Sequence, residues 1–459
     1  MSISSTFNAG TKIAVEAADS AYAWKRGVAP SAGGYNTSPH SPHLGKMWWE
    51  GGLWHSLVTD GLPSIQDNQA TIFPKGHAGD RRMDQQPPVQ GRVWSEGDMS
   101  APAMSDFLGV LLYAAMGAAS TDAVPQASAG SLLVNEPINS NPKSLVLNNQ
   151  PSDGGKILRF ELTGGVTAGT ISISGIDSYG NGASELISFG SAASVFCYSR
   201  TAWSSIAASG IALSGTSVGV LTIQAFKYWQ HTFTTNSSAP TLSFERQNNP
   251  TAGEASANKA FIHTGMVLKS LTLDSDPEAV DGVVLAKASF EGEPAGTSAV
   301  TNTPSPSPLR VWPSWAMRIR RDNGTQWDVV TKFTWTTNTG NRNYRAAAGA
   351  QGPQGSFFGA QDFTGDITIL VNNELEYQKW KAASQLRLHA LWTTPWKLGT
   401  SNIQLSASIP AYLENVQVAD ADGAWSLTGN YRVVRDDNFP MSFQLLNGCP
   451  GTSLGTGVR

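Results

Sequence analysis

The sequence predicts a mainly β fold, with sandwich- or barrel-like layers and a flanking helix. Three observations lead there. Residues 240–292 hold three segments in which apolar and polar residues alternate: Pro-Thr-Leu-Ser-Phe-Glu-Arg (240–246), Gly-Met-Val-Leu-Lys-Ser-Leu-Thr-Leu (265–273) and Val-Val-Leu-Ala-Lys-Ala-Ser-Phe-Glu-Gly (283–292). A period near two marks a half-buried antiparallel strand. The 46 Gly and 25 Pro supply many turns between short strands. Similar short segments recur along most of the remaining chain.

From the N-terminus, residues 25–88 are rich in Gly, Pro, His and Trp with little periodicity. An ordered loop of that length is uncommon in a compact domain. It reads either as an extended arm that orders against a neighbouring subunit or as a set of short strands. Residues 89–95 read as a strand. A helix follows, with Pro102 near its first turn, Phe107, Leu108, Leu111, Leu112, Ala115 and Met116 on one face, and Gly117 near its end.

Between about 128 and 224 the charge density falls. Short strands are expected at 157–162, 170–174, 185–189 and 219–223, with a turn at 177–182. Even spacing and Gly-rich turns predict a small β-sandwich inserted into the flanking unit. Residues 295–309 include Thr-Pro-Ser-Pro-Ser-Pro, the composition of a semi-rigid linker. Beyond it, strands are expected at 311–320, 327–337, 366–371, 386–393, 403–409, 413–419, 424–434 and 441–446, with a helix at 373–384. On both sides of the linker a strand leads to a helix and then to several strands, an order that suggests duplication of one unit. The expected organisation is a first unit from 1–127 and 225–294, an insert at 128–224, a linker at 295–309 and a second unit at 310–459.

Composition limits the function. With 31 basic and 35 acidic residues the formal net charge is −4, which argues against a tight grip on a nucleic-acid backbone. Cys197 and Cys449 match no metal spacing and predict no disulfide framework, the simpler reading being synthesis in a reducing cytosol. The first residues lack the basic and apolar regions of a signal peptide, and the apolar run 107–119 is shorter than the roughly 20 residues that span a bilayer.

No motif carries convincing chemistry. Ser453, in Gly-Thr-Ser-Leu-Gly (451–455), matches a nucleophile-elbow pattern but has no room for the helix that must follow. His40 and His43 are held off a helix by prolines and read as a surface loop. Asp274, Asp276, Glu278 and Asp281, ending at Gly282, resemble a calcium loop only in part; Pro277 interrupts them, and a solvated turn is the better reading. The sequons at Asn36, Asn236 and Asn323 have no function without secretion. Trp312, Trp315, Trp327 and Trp335 offer either a stacking platform for sugars or bases or ordinary core and interface packing. No catalytic, cofactor-binding or metal-ligating residue is therefore assigned.

Three pieces taken in order carry a resemblance. They are Gln-Gly-Arg-Val-Trp-Ser-Glu-Gly (90–97) leading into the helix that ends at Gly117; Tyr-Trp-Gln-His-Thr-Phe (228–233) with Ala-Pro-Thr-Leu-Ser-Phe-Glu (239–245); and Phe-Ile-His-Thr-Gly-Met-Val-Leu-Lys-Ser-Leu-Thr-Leu (261–273) with 284–292. Together they resemble the major tail tube proteins of long-tailed, non-contractile bacteriophages. The segment around Thr170–Gly180 is similar to immunoglobulin-like modules of phage virions. The resemblance implies a tail-tube-type β-sandwich or barrel with a flanking helix, duplicated, plus an outward-facing inserted immunoglobulin-like sandwich. It also implies a non-enzymatic virion protein, without cofactors, made in the host bacterial cytoplasm. Its subunits would form stacked rings, of three chains if the duplication holds and six if not, lining the channel for genome ejection. Expected partners are copies of itself, tail terminator, tape measure and tail-tip proteins, and double-stranded DNA passing without tight binding; no membrane is involved. Other virion components, such as capsid decoration or baseplate proteins, and a carbohydrate-binding β-protein are the competing readings.

Overall fold

All strand pairings among the described residues are antiparallel, as the period-two segments require. The structure is a computed structural model that describes residues 11–15, 55–56, 64–72, 89–105, 108–125, 132–138, 143–145, 147–151, 157–177, 182–189, 192–199, 203–217, 219–237, 239–247, 260–279, 282–298, 311–321, 325–327, 330–344, 355–371, 375–382, 384–398, 401–421 and 424–447. Most of the 25–88 tract, much of the 295–309 segment, and His40, His43, Cys449 and Ser453 lie outside these residues.

In chain order the first half comprises β1 (Thr11–Val15), β2 (His55–Ser56), β3 (Gln66–Ile72), β4 (Val89–Pro102), α1 (Leu108–Met116), β5 (Gly117–Pro125), β6 (Leu132–Ile138), β7 (Lys143–Leu145), β8 (Ile157–Asp177), β9 (Gly182–Phe189), β10 (Ala192–Tyr198), β11 (Trp203–Ser217), β12 (Gly219–Thr235), β13 (Leu242–Gln247), β14 (Ala260–Ser275), β15 (Leu285–Gly292) and β16 (Gly296–Ser298). The second half comprises a short 3-10 turn (Ser314–Ala316), β17 (Met317–Arg321), β18 (Thr325–Trp327), β19 (Val330–Asn338), β20 (Arg342–Tyr344), β21 (Gly355–Phe357), β22 (Asp362–Val371), α2 (Leu375–Lys381), β23 (Leu386–Leu398), β24 (Ser401–Ala421), β25 (Ala424–Val433) and β26 (Ser442–Asn447).

The same pairings occur in both halves. In the first, β1 pairs with β2 and β13, β3 with β4, β4 with β15, and β14 with β13, β15 and β16. In the second, β17 pairs with β18 and β23, β19 with β22, β22 with β25, and β24 with β23, β25 and β26. The helix falls at the same place in each series. The long strands β14 and β24 each carry a register shift against the next strand, between Leu268 and Ser270 and between Glu414 and Gln417. Gly265 on β14 and Asn415 on β24 have positive φ, which lets each strand turn from one layer into the other.

The halves meet edge to edge where Ser270–Ser275 of β14 pairs with Phe333–Asn338 of β19. The result is one wall of eight strands in the order β3-β4-β15-β14-β19-β22-β25-β24. Behind it lies one hydrophobic core drawn from both halves, including Leu108, Leu111, Leu271, Phe290, Trp312, Trp335, Trp392, Ile409, Tyr431 and Phe443.

Helix α1 departs from expectation. Its residues are buried on nearly every face, with only Tyr113 half-exposed, so it is a core helix and not an amphipathic surface helix. Pro102 ends β4 and does not open the helix. Gly117 stops the helix with φ 92°, a conformation that favours glycine. The carbonyls left unpaired at its C-terminus are met from elsewhere: the Asn236 amide donates to Met116 O at 2.8 Å and Gln361 Nε2 donates to Ala115 O at 2.9 Å. Gln361 belongs to the second half, so the second half completes hydrogen bonding at the end of the first half's helix.

A second core lies between Leu145 and Ala225, with Phe160, Ile171, Ile173, Trp203, Ile211, Leu221 and Ile223 among its residues. Here the expected short strands merge. Residues 157–162 and 170–174 belong to the single strand β8, because the glycines between them, Gly164, Gly165 and Gly169, bend the ladder without ending it. Likewise 403–409 and 413–419 form one strand, β24, despite Pro410. Residues 311–320 hold isolated bridges at Val311 and Pro313 and then the 3-10 turn before β17 starts at Met317, so they are not all strand, and Gly296–Ser298, inside the expected linker, pairs with β14.

Candidate channel wall

The strand registers assign two faces to the eight-stranded wall. Met99, Ala101, Ala288, Phe290, Leu271, Leu273, Phe333, Trp335, Ile367, Ile369, Leu427 and Tyr431 point into the core. Intervening residues form a polar face held by cross-strand contacts. Ser270 and Ser289 hydroxyls lie 2.6 Å apart, Thr272 and Thr336 3.0 Å, and Thr368 and Thr428 3.2 Å. Lys287 Nζ donates to Asp274 Oδ2 at 2.8 Å, Asn68 Nδ2 donates to Glu96 Oε1 at 2.8 Å, and Thr334 Oγ1 donates to Asp366 Oδ2 at 3.2 Å.

On this face the carboxylates Glu96, Asp98, Asp274, Glu291, Asp362, Asp366 and Glu414 modestly outnumber the cations Arg92, Lys269, Lys287, Lys332 and Arg432, with Lys269 ion-paired to Glu291 at 3.8 Å and Arg432 to Glu414 at 3.7 Å. Hydroxyl ladders and a carboxylate excess suit a hydrated surface that repels polyanions. They do not suit a phosphate-gripping site.

The candidates weighed from sequence disperse. Trp312 and Trp335 are buried in the core while Trp315 is exposed, so these three form no shared stacking surface; the side chain of Trp327 lies outside the described residues. Asp276 Oδ1 accepts from the Glu278 amide at 2.9 Å, closing a turn between β14 and β15, as the turn reading requires. Asp274 lies on β14 instead, committed to Lys287. Among the described residues no group of three or more His, Cys, Asp or Glu is arranged to hold a metal ion, and no helix is long and apolar enough to cross a membrane.

One cluster escaped sequence reasoning because its members are far apart in the chain. Ser95 Oγ donates to Asp67 Oδ1 at 2.5 Å, His263 Nδ1 lies 3.0 Å from Ser95 Oγ, and the Ala295 amide donates to Asp67 Oδ1 at 2.9 Å. It contains the residue types of a hydrolytic triad in the wrong arrangement. The serine is fully buried and its proton is directed at the carboxylate, and the carboxylate orients the serine where a triad would have it orient the histidine. The cluster braces β3 and β4 against β14.

The wall and its covering layer fit one comparison. A family model described as phage tail tube protein matches residues 78–424. The chain belongs to the phage tail tube protein family. No curated protein matches it. Membership makes the chain a structural protein of a phage tail, and the mainly β, antiparallel architecture agrees with the fold expected from the resemblance.

Proposed function

We propose that the chain is the tail tube subunit, which self-assembles into stacked rings whose joined walls line the channel for genome ejection into the host. The observation that carries this reading is the asymmetry of the eight-stranded wall. One face is covered by the second strand layer and the helices, and the other is bare, polar and acid-rich. Curling such a wall into a cylinder puts the bulky layer outside and the bare face inside. A slightly acidic inner surface lets double-stranded DNA slide past without being held.

The recurrent pairings support two tube units per chain, 1–127 with 225–294 and 310–459, and a ring of three chains. Three walls give about 24 strands, which at about 4.8 Å spacing and about 40° tilt form a backbone cylinder about 48 Å across. That passes a DNA duplex with its hydration. Six chains would double the bore, leaving the DNA unguided. The segment 128–224 is read as an outward-facing immunoglobulin-like module, and a module projecting from the tube favours a tail without a contractile sheath. Tail terminator, tape measure and tail-tip proteins are the expected partners, the role needs no catalysis or cofactor, and synthesis is assigned to the host cytoplasm.

Negative-stain electron microscopy of the purified protein tests the reading. Hollow tubes of stacked rings are expected; a protein that stays monomeric at high concentration would rule it out.

A further inference from the structure

The contact between the two halves of one chain supplies a template for the contact between two chains. Within the wall, β3 is paired only with β4, and β24 beyond Ala411 is paired only with β25, among the described residues. These are the wall's two open edges. In the repeated pairing scheme β24 corresponds to β14, and β3 to β19. The one place where such strands meet inside the chain is the β14–β19 junction. We propose that β24 of one copy pairs antiparallel with β3 of the next, in the register that β14 and β19 already use, and that Trp425 and Val418 are the apolar latch of this joint. The proposal rests on the tail tube reading and deepens it by naming the joint.

The register follows by counting from the shared shift. The first pair after it is Ser270–Ser289 in one half and Gln417–Thr428 in the other. Ser289 pairs next with Asp98, and Thr428 with Thr368. Asp98 meets Ser64 through main-chain contact, and Thr368 pairs with Lys332. Ser64 therefore holds the place of Lys332, and Asn68 that of Thr336. The internal pair Thr272–Thr336 becomes Ala419 facing Asn68 of the next copy.

Burial supports the same equivalence. By this count Leu271 corresponds to Val418 and Ala286 to Trp425. Leu271 and Ala286 are fully buried beside the internal junction, whereas Val418 is 42% and Trp425 64% exposed at the open edge. A joint that hides the first pair inside one chain is absent at the second. Exposed apolar residues beside an unpaired strand edge invite strand addition, and a contact between two different surfaces of the same molecule makes a ring when the rotation between copies closes, as the tube reading requires.

Cysteine cross-linking tests the joint in full-length protein carrying Cys197→Ser and Cys449→Ser. Ala419→Cys with Asn68→Cys should give, without reductant, a covalent ladder closing at the trimer, while either cysteine alone gives no ladder. Assembled tubes that fail to cross-link would overturn the joint and leave the tube reading standing. A wild-type protein that forms no rings at all would remove the tube reading and the joint together. Trp425→Asp, at an exposed position, should keep the wild-type circular dichroism spectrum while raising the concentration needed for assembly by about tenfold or more; assembly at the wild-type concentration would overturn the latch.

Discussion

The Tyr431 hydroxyl donates to the Thr334 carbonyl oxygen at 2.7 Å, reaching from β25 across β22 to β19 within the core. Tyr431 also stacks on Phe333, with ring centroids 5.7 Å apart. Replacing Tyr431 with Phe keeps the ring and leaves a buried carbonyl without this partner. A loss of about 1–3 kcal/mol is expected by urea denaturation. Burial, followed by the nearby Asp366 charge, holds the phenol well above its ordinary value of 10.0. The folded state therefore favours the protonated phenol. Its contribution is complete below about pH 10 and falls as the pH rises beyond it, a decline that Tyr431→Phe should abolish.

Gly365 lies beneath the same tyrosine. A Cβ there would come within 2.1 Å of Thr334 O and 2.4 Å of the Tyr431 ring. Neither atom is the free end of a flexible side chain. Gly365→Ala should cost about 1–3 kcal/mol through overpacking, and the double variant with Tyr431→Leu should recover part of that loss in the same denaturation measurement.

Trp335 separates core from binding readings of the tryptophans. It is fully buried and meets Phe443 edge-on at 4.6 Å. Trp335→Ala should destabilise the protein by about 3–5 kcal/mol. Exposed Trp315→Ala should change thermal stability by less than about 0.5 kcal/mol. Calorimetric melts of the two variants check both values.

His389 gives a mild acid sensitivity. Burial, followed by the charge of Arg320 opposite it, lowers its pKa below 6.5, and its ring packs edge-on to Phe439 at 4.8 Å. A histidine that folds neutral is stabilising above the unfolded value. That contribution is lost as the pH falls from 6.5 through the lowered folded value. His389→Gln should flatten the melting temperature over this interval, measured from pH 7 to pH 5.

Ring assembly should respond to salt. The register inferred for the joint sets Asp420 opposite Asp67 of the next copy, a like-charge pair beside the uncharged pairs Val418 with Gln69 and Ala419 with Asn68. Raising ionic strength screens it, so the concentration needed for assembly should fall with added sodium chloride in light scattering, and Asp420→Asn should remove much of that dependence.

The wall was legible in the sequence wherever one face of a strand is buried. The alternation in 265–273 and 283–292 follows the burial of Leu271, Leu273, Ala286, Ala288 and Phe290. It was less legible where strands bend. The expected strands 403–409 and 413–419 leave out Pro410, a residue that lacks a ladder donor, yet β24 runs through it and the Pro410 carbonyl accepts from the Val434 amide at 2.9 Å. Helix α1 looked amphipathic because its apolar residues fit a 3.6 period, while its remaining positions are Gly, Val, Tyr and Ala, small or apolar enough to be buried as well. The open edges left no local signal: Val418 and Trp425 resemble any other strand residues until their buried counterparts are identified. The expected boundary at 224/225 lies inside β12, since composition changes there while the strand continues.

That continuity in β12 has a mechanical consequence. Its first part pairs with β6 and β8 and contributes Leu221, Ile223 and Ala225 to the smaller core; its last part pairs with β5 and β26 and contributes Phe233 to the larger one. A pull on the segment that holds the smaller core, directed along the strand axis, acts at right angles to the ladder hydrogen bonds. Those bonds are loaded together in shear, not peeled one after another, so the smaller core is coupled to the larger one by a stiff tether and not by a hinge.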